Sequence, residues 1–190
     1  MPQVKNILAS MGWMKMTESS KFVFKLPALR ILENEHHLIR HLMSEWHPIV
    51  LEFEKDAYTL EEAHVAIKTL EKKIIAFIDP LKNHTEKEEE YVFKALAKYV
   101  GDEQGPVKAT EEEHEEIDAY IGHFLHHVRG DVTQLDLDDM KQIVQDAGEA
   151  FEVITFHLVK EESVVFPMVQ DILDENEKYD LLEKLYSPII

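Results

Sequence analysis

The amino-acid sequence predicts an all-α protein folded as an up-down antiparallel four-helix bundle. Apolar residues recur at helical spacing along most of the chain, and three of the six glycines stand where helices should end. The connections between these long helices are short, which favours antiparallel neighbours and hence a bundle. A chain of 190 residues suits one such domain.

The four predicted helices cover residues 27–55, 60–99, 110–129 and 138–174. The third should begin at Thr110, because Thr110 and Glu113 have the Ser/Thr-x-x-Glu spacing of a capping box. Pro48 and Pro80 lie inside predicted helices, so each should kink or interrupt its helix. The predicted organisation is therefore an N-terminal extension over residues 1–26, the bundle over 27–174, and a tail or short helix over 175–190.

Composition excludes several classes of function. The chain carries 38 acidic and 20 basic residues, a formal charge of −18 that repels phosphate groups, so neither nucleic acid nor an anionic membrane is an expected partner. The lack of cysteine removes disulfides, thiolate metal sites and cysteine nucleophiles. No apolar run approaches the roughly 20 residues of a membrane span, and the N-terminus lacks the order of a secretory signal. We therefore expect a cytoplasmic protein.

One segment of the sequence occurs twice. Residues 84–93 read HTEKEEEYVF and residues 157–166 read HLVKEESVVF, so six of ten positions are identical at a separation of 73 residues. Each copy places a histidine one helical turn before a glutamate, and we expect both pairs to point into the core. Four further residues should share these inward faces: Tyr91 and Ala95 with the first pair, Val164 and Met168 with the second.

The other two helices share a shorter pattern, EHHLI at 35–39 and EHEEI at 113–117. Each of the four helices then carries one inward histidine, and alternate helices add an inward carboxylate. An unpaired carboxylate is costly to bury, by several kcal/mol, unless it takes a proton. A pair of divalent cations would satisfy all six groups, which are His36, His84, Glu88, His114, His157 and Glu161.

Other polar residues have simpler interpretations. His41 and Glu45 repeat the same spacing but lie away from the apolar face, so we expect them at the surface. His47 should be a structural histidine near Pro48, and Tyr91 a core residue. The glutamates that follow the two inward carboxylates, Glu89 and Glu162, should be solvated, with contact to a metal-binding histidine as the alternative. The remaining histidines expected at the surface are His37, His123, His126 and His127, with His64 at the surface or in an end layer.

The combination of four motifs is similar to the hemerythrin-like (HHE cation-binding) domains over about residues 27–174. The motifs are ENEHHLIR at 33–40, HTEKEE at 84–89, EEEHEEID at 111–118 and HLVKEESVVFP at 157–167. The resemblance implies an up-down four-helix bundle that holds a non-haem di-iron centre. It also implies that the four histidines are terminal ligands and that Glu88 and Glu161 bridge the metals.

The sequence departs from the oxygen-carrying members of that family. Those members have a second histidine one turn after the third-helix ligand, where this chain has Asp118, and a His-x4-Asp in the last helix, where it has His-x3-Glu. The four-histidine, two-glutamate pattern is closer to iron-centre repair and sensor-like members, although repair proteins generally carry an N-terminal cysteine segment. Asp118 should leave one metal more exposed, so we expect oxidation by O₂ rather than reversible oxygen carriage.

The expected cofactor is a pair of iron ions with an oxo or hydroxo bridge, and manganese or zinc are allowed substitutes. Two six-coordinate metals offer about twelve positions, of which the six side chains fill about eight and the bridge about two. The roughly two open positions suit a small ligand such as O₂ or NO. We expect a binding protein for sensing, detoxification or iron handling rather than an enzyme, as a monomer or homodimer with a redox partner that the sequence does not identify.

Two alternatives belong to other classes. A ferritin-like di-iron oxidase would use Glu33-x-x-His36 and Glu111-x-x-His114. That reading leaves His84 and His157 without a role, and Glu111 is explained by the preference of acids for a helix N-terminus. A metal-free interaction module that uses the acidic surface is the other alternative.

Overall fold

The computed structural model describes residues 23–101 and 105–186, and within these ranges the chain is helical with no strand. The predicted N-terminal extension therefore lies mostly outside the described residues. The helices are α1 (Pro27–Glu54), α2 (Leu60–Lys87), α3 (Lys94–Val100), α4 (Pro106–Val128), α5 (Leu137–Lys160), α6 (Phe166–Ile172) and α7 (Glu175–Tyr186). A π-helical segment, Glu88–Phe93, joins α2 to α3, and another, Glu161–Val165, joins α5 to α6. A 3₁₀ turn, Val132–Gln134, lies between α4 and α5. The all-α prediction is confirmed.

Two helices begin with a reciprocal capping box. At α2, the Thr59 side chain accepts a hydrogen bond from the Glu62 backbone N–H, and the Glu62 carboxylate accepts one from the Thr59 backbone. Asp136 and Asp139 make the same pair of contacts at the start of α5. Each box satisfies backbone donors that the first turn of a helix leaves unpaired.

The start predicted for the third helix was wrong. Helix α4 begins at Pro106, whose fixed φ and missing N–H suit the first turn. Thr110 therefore lies inside α4, where it is buried and its hydroxyl donates to the Pro106 carbonyl oxygen at 2.7 Å.

Neither internal proline interrupts its helix. Helix α1 continues through Pro48 and α2 continues through Pro80. A proline removes one hydrogen bond from a helix interior, but apolar residues on both sides of Pro48, such as Trp46 and Val50, are buried in the core and hold the helix in place.

The helices pack into one bundle around a divided core. Helix α1 contacts α2 and α5, α4 contacts α5, and α2 contacts α4 and α5. The short helix α7 covers α1 and the π-helical segment Glu88–Phe93. None of the described helices is both long and apolar enough to cross a membrane.

A polar layer separates two apolar clusters of the core. The larger cluster ends at four residues, Ile39, Leu81, Ile117 and Ile154. The smaller cluster begins on the other side of the layer with Leu32, Val92, Val107 and Val165. On each of four helical runs, one histidine lies between the two clusters: His36, His84, His114 and His157.

Candidate metal centre

The structure brings all six sequence-predicted site residues together in this polar layer. They form two groups. Within each group the nitrogen and oxygen atoms that could bind a metal lie within 4.8 Å of one another, and every member is buried. His36 and His84 belong to the first group, which we call the first half-site. His114 and His157 belong to the second half-site. Both half-sites share Glu88 and Glu161.

The distances within the layer show how the two half-sites are joined. The Nε2 atoms of His36 and His84 are 3.0 Å apart, and those of His114 and His157 are 3.1 Å apart. Glu161 places its Oε2 3.2 Å from His36 Nε2 and its Oε1 3.3 Å from His157 Nε2. Glu161 therefore reaches the first half-site with one carboxylate oxygen and the second half-site with the other.

Glu88, the first residue of the π-helical segment that follows α2, completes this arrangement. Its Oε1 lies 3.4 Å from His84 Nε2, and its Oε2 lies 3.6 Å from His114 Nε2. None of the four oxygens of Glu88 and Glu161 has a hydrogen-bond partner in the part of the chain that the structure describes. Buried carboxylate oxygens without partners are costly, so this layer is built to be satisfied by cations.

The other nitrogen of each histidine contacts a carboxylate. The Nδ1 atoms of His36, His84, His114 and His157 lie at 2.8, 3.0, 2.7 and 3.2 Å from Glu162, Glu35, Glu89 and Glu113, respectively. An ionised carboxylate only accepts hydrogen bonds, so each Nδ1–H donates. Each neutral imidazole then keeps its lone pair on Nε2, and the four lone pairs converge on the layer.

Three of these orienting carboxylates are also paired with a cation. Arg40 contacts Glu162 through two nitrogens at 2.7 and 2.9 Å. Lys87 pairs with Glu35, and Lys160 pairs with Glu113. The pKa of Glu162 is lowered to about 2, because hydrogen bonds from His36 and Arg40 outweigh the effect of burial, which alone would raise it.

The protein surroundings alone do not satisfy this cluster. Burial, followed by the charge of Glu161, raises the pKa of Glu88 well above its usual range. Burial likewise lowers the pKa of His84 to about 4, although Glu35 opposes the change. In contrast, contacts with Glu161 and Glu162 raise the pKa of His36 despite its burial. A bound cation would take the place of a proton on His36 and would neutralise the carboxylates. Four imidazole nitrogens and four carboxylate oxygens therefore fit a pair of divalent metals.

The two π-helical segments shift the buried face by one residue directly after each inward glutamate. Val92 and Phe93 are buried after Glu88, and Val165 and Phe166 are buried after Glu161. The predicted continuation was wrong: Tyr91, Ala95 and Met168 are only half-buried and Val164 is 42% exposed. A π-turn adds one residue to the helix, which a regular 3.6-residue period does not anticipate.

This shift explains the repeated Val and Phe of the duplicated segment. Phe166 stacks on His36 with ring centroids 5.2 Å apart, and Phe93 stacks on His114 at 5.8 Å. Each phenylalanine thus fixes the ring of one histidine and closes the apolar side of the layer.

Sequence reasoning missed part of the orienting set. Glu89 and Glu162 were predicted to be solvated, but the structure supports the alternative, since each contacts a histidine of the layer. Glu35 was not singled out, and Glu113 was assigned instead to a capping box with Thr110. Their signal was the Glu-His dipeptide that begins both copies of the shorter repeat, EHHLI and EHEEI.

The remaining histidines lie outside the layer. His41 and Glu45 form an exposed pair at 3.7 Å, as predicted. His47 is structural: it stacks on Phe151 with ring centroids 3.4 Å apart, and burial lowers its pKa to about 4. His64 bonds to the Leu135 carbonyl oxygen. His123, His126 and His127 are exposed as predicted, whereas His37 is half-buried rather than at the surface.

The carboxylates of the ferritin-like alternative are used elsewhere. Glu33 is buried, but it accepts hydrogen bonds from the backbone N–H groups of Val23 and Phe24, which ties the preceding segment to α1. Glu111 belongs to neither half-site. Asp118 is exposed and also lies outside both half-sites, so it adds no ligand where the oxygen-carrying members have a histidine.

Comparison with known proteins agrees with this geometry. The family model described as Hemerythrin HHE cation binding domain matches residues 27–169. Neither a curated protein nor a solved structure gave a significant match. The matched range includes every residue of both half-sites and all four orienting carboxylates. The chain belongs to the hemerythrin HHE cation-binding domain family.

Proposed function

We propose that this chain is a non-haem di-iron protein of the cytoplasm that binds or reacts with O₂ or NO in sensing, detoxification or iron handling. One observation carries the proposal. Four imidazole lone pairs and four carboxylate oxygens without hydrogen-bond partners converge on one buried layer. We propose His36, His84, His114 and His157 as terminal ligands and Glu88 and Glu161 as bridging ligands.

The proposed scaffold is an up-down antiparallel four-helix bundle. Helices α1 and α2 have 28 residues each, so each is about 42 Å long. The connection at residues 55–59 can reach at most about 20 Å, which is too short to return to the start of α1. Helices α1 and α2 pack together, as do α4 and α5, and antiparallel neighbours in both pairs satisfy these contacts.

Iron fits the donor set because imidazole and carboxylate together suit it, with manganese or zinc as chemically allowed substitutes. When bound, the iron pair supplies redox chemistry and open coordination positions for a small ligand. Glu88 and Glu161 would hold the two metals in one centre. The orienting carboxylates fix the imidazole rings, and the apolar clusters on both sides of the layer exclude water.

The proposal favours reaction with a diatomic ligand over long-lived oxygen carriage. The layer has two imidazoles in each half-site, and no histidine follows His114 one turn later. A small neutral molecule suits this site because apolar residues such as Ile39, Leu81 and Ile117 border the layer. The observed donors do not favour a ferritin-like oxidase, because Glu33 is engaged by backbone N–H groups and Glu111 is outside the layer.

Two measurements test this proposal. X-ray absorption of the iron-loaded protein should give a shell of about two imidazole nitrogens per iron, whereas a carboxylate-dominated shell would support the oxidase. Stopped-flow spectra should change after the reduced protein is mixed with O₂ or NO. A stable, deoxygenation-reversible adduct would instead identify an oxygen carrier, and spectra unchanged by either gas would contradict the proposal.

A further inference from the structure

The internal repeat makes the two half-sites equivalent at nearly every position. His36 corresponds to His114, and His84 corresponds to His157. The residues that support them correspond in the same way: Glu35 with Glu113, Glu162 with Glu89, Lys87 with Lys160, and Phe166 with Phe93. One pair breaks this equivalence. Four residues after His36 stands Arg40, and four residues after His114 stands Asp118.

Arg40 fixes the orienting carboxylate of the first half-site. Its two terminal nitrogens donate to the two oxygens of Glu162, at 2.7 and 2.9 Å. The oxygen that receives the shorter bond also accepts from His36 Nδ1 at 2.8 Å. A two-point guanidinium contact holds a carboxylate in one orientation more firmly than a single hydrogen bond does.

The second half-site has no such clamp. Glu89 contacts His114 Nδ1 at 2.7 Å, but within residues 23–101 and 105–186 no lysine or arginine pairs with it. Its side chain is 45% exposed, against 30% for Glu162. His114 is also slightly exposed, at 6%, whereas His36 is fully buried. Water therefore competes more strongly for Glu89, which no cation holds, than for Glu162.

We propose that Arg40 makes the two half-sites unequal, so that the half-site of His114 and His157 exchanges its metal faster than the half-site of His36 and His84. Arg40 acts as a positioning residue: it fixes Glu162, and Glu162 fixes the ring of His36. This inference rests on the proposed metal site but not on the identity of the metal or on any reaction with O₂ or NO.

Release of Co²⁺ to an excess of a chromophoric chelator tests the inference without iron. The wild type, loaded with two equivalents of Co²⁺, should release metal in a fast phase and a slow phase of equal amplitude. Loss of a residue that orients a metal-bound histidine typically changes metal affinity about 10- to 100-fold. Arg40 acts on His36 only through Glu162, so Arg40→Ala should accelerate the slow phase by up to about tenfold, and Arg40→Lys should restore part of the difference.

The repeat supplies the complementary variant. Asp118→Arg places an arginine where Arg40 stands in the first half-site, so it should slow the fast phase by about tenfold and leave the slow phase unchanged. Asp118 is exposed, so this change does not disturb the core. Glu116→Arg is the matched control: it makes the same change of charge on the same helix, from an exposed position on the opposite face, and should alter neither phase.

Three results would overturn the inference while leaving the proposed function intact. These are a single release phase in the wild type, equal acceleration of both phases by Arg40→Ala, or a fast phase that Asp118→Arg does not slow. Two unequal Co²⁺ sites in a chain that does not react with O₂ or NO would refute the proposed function and support the inference. A chain that binds no Co²⁺ would contradict both.

Discussion

Replacing Glu88 with glutamine should change stability in opposite directions with and without metal. Glutamine keeps the shape of the side chain but removes its charge. In the metal-free protein, Glu88 is fully buried and neither of its oxygens has a hydrogen-bond partner among the described residues. Folding therefore either buries an unpaired charge or requires the carboxyl to take up a proton.

The cost of protonating the Glu88 carboxyl sets the expected difference in the free energy of unfolding. Burial and the neighbouring Glu161 raise the pKa of Glu88 well above its ordinary value of 4.5. Protonating a carboxyl of ordinary pKa at pH 7 costs about 3 kcal/mol. The buried amide of glutamine also lacks partners, so we expect the metal-free Glu88→Gln variant to be about 1 to 3 kcal/mol more stable than the wild type at pH 7.

The stability difference between Glu88→Gln and the wild type should also depend on pH. The folded state binds this proton more tightly than the unfolded state, so the penalty is present above about pH 4.5 and disappears as the pH falls towards that value. The advantage of Glu88→Gln should therefore be largest near pH 7 and shrink on acidification. In the metal-loaded protein the order reverses, because the variant loses a bridging ligand and with it the stability that metal binding supplies.

Urea unfolding followed by circular dichroism measures these differences, with and without chelator and at several pH values. Glu45→Gln is the control, since Glu45 repeats the same spacing after His41 but is exposed, and it should change neither the metal content nor the stability. A metal-free Glu88→Gln variant that is less stable than the wild type at pH 7 would show that the buried Glu88 carboxylate does not destabilise the metal-free protein.

Two further predictions test the packing around the layer. His47 is neutral in the fold with a pKa of about 4, and its ordinary value is 6.5, so metal-free wild type should lose about 1 to 2 kcal/mol relative to His47→Gln as the pH falls from 6.5 through 4, after allowance for partial exposure; urea titrations with parallel pH profiles would contradict this. Phe166→Ala should cost about 3 to 5 kcal/mol because Phe166 is fully buried against His36, whereas Val164→Ala should cost less than about 0.5 kcal/mol. The reverse order in thermal unfolding would mean that the buried face follows a regular α-helix rather than the π-helical shift.

The six central residues could be predicted from the sequence because their burial leaves a periodic signal. His36 and His114 follow the apolar stripe of their helices, and the duplicated segment supplies two His-x3-Glu pairs at the same spacing. Hydrophobic periodicity is a reliable guide to an inward face over two or three turns. The all-α fold followed from the same periodicity and from the placement of glycines.

The residues missed by this reasoning are those whose role depends on a neighbouring helix. Glu89 and Glu162 lie off the inward line of their own helices, and they matter only because a histidine of another helix donates to them. The π-helical segments were missed for a related reason. Local periodicity assumes a constant number of residues per turn, and tertiary packing of Phe93 and Phe166 on two histidines favours one extra residue instead. Thr110 shows the same limit, since a capping pattern in the sequence can lie inside a helix that begins one turn earlier.

The proposed function requires four histidines and two glutamates to hold two metal ions in one chain. Elemental analysis of protein purified without added metal, with the chain quantified by amino-acid analysis, measures this number. We predict about two iron atoms per chain in the wild type and no more than about one in Glu161→Ala, with Glu45→Ala unchanged. A folded, iron-replete wild type that holds one metal or none, or an equal metal content in all three proteins, would show that these six residues do not form a two-metal centre.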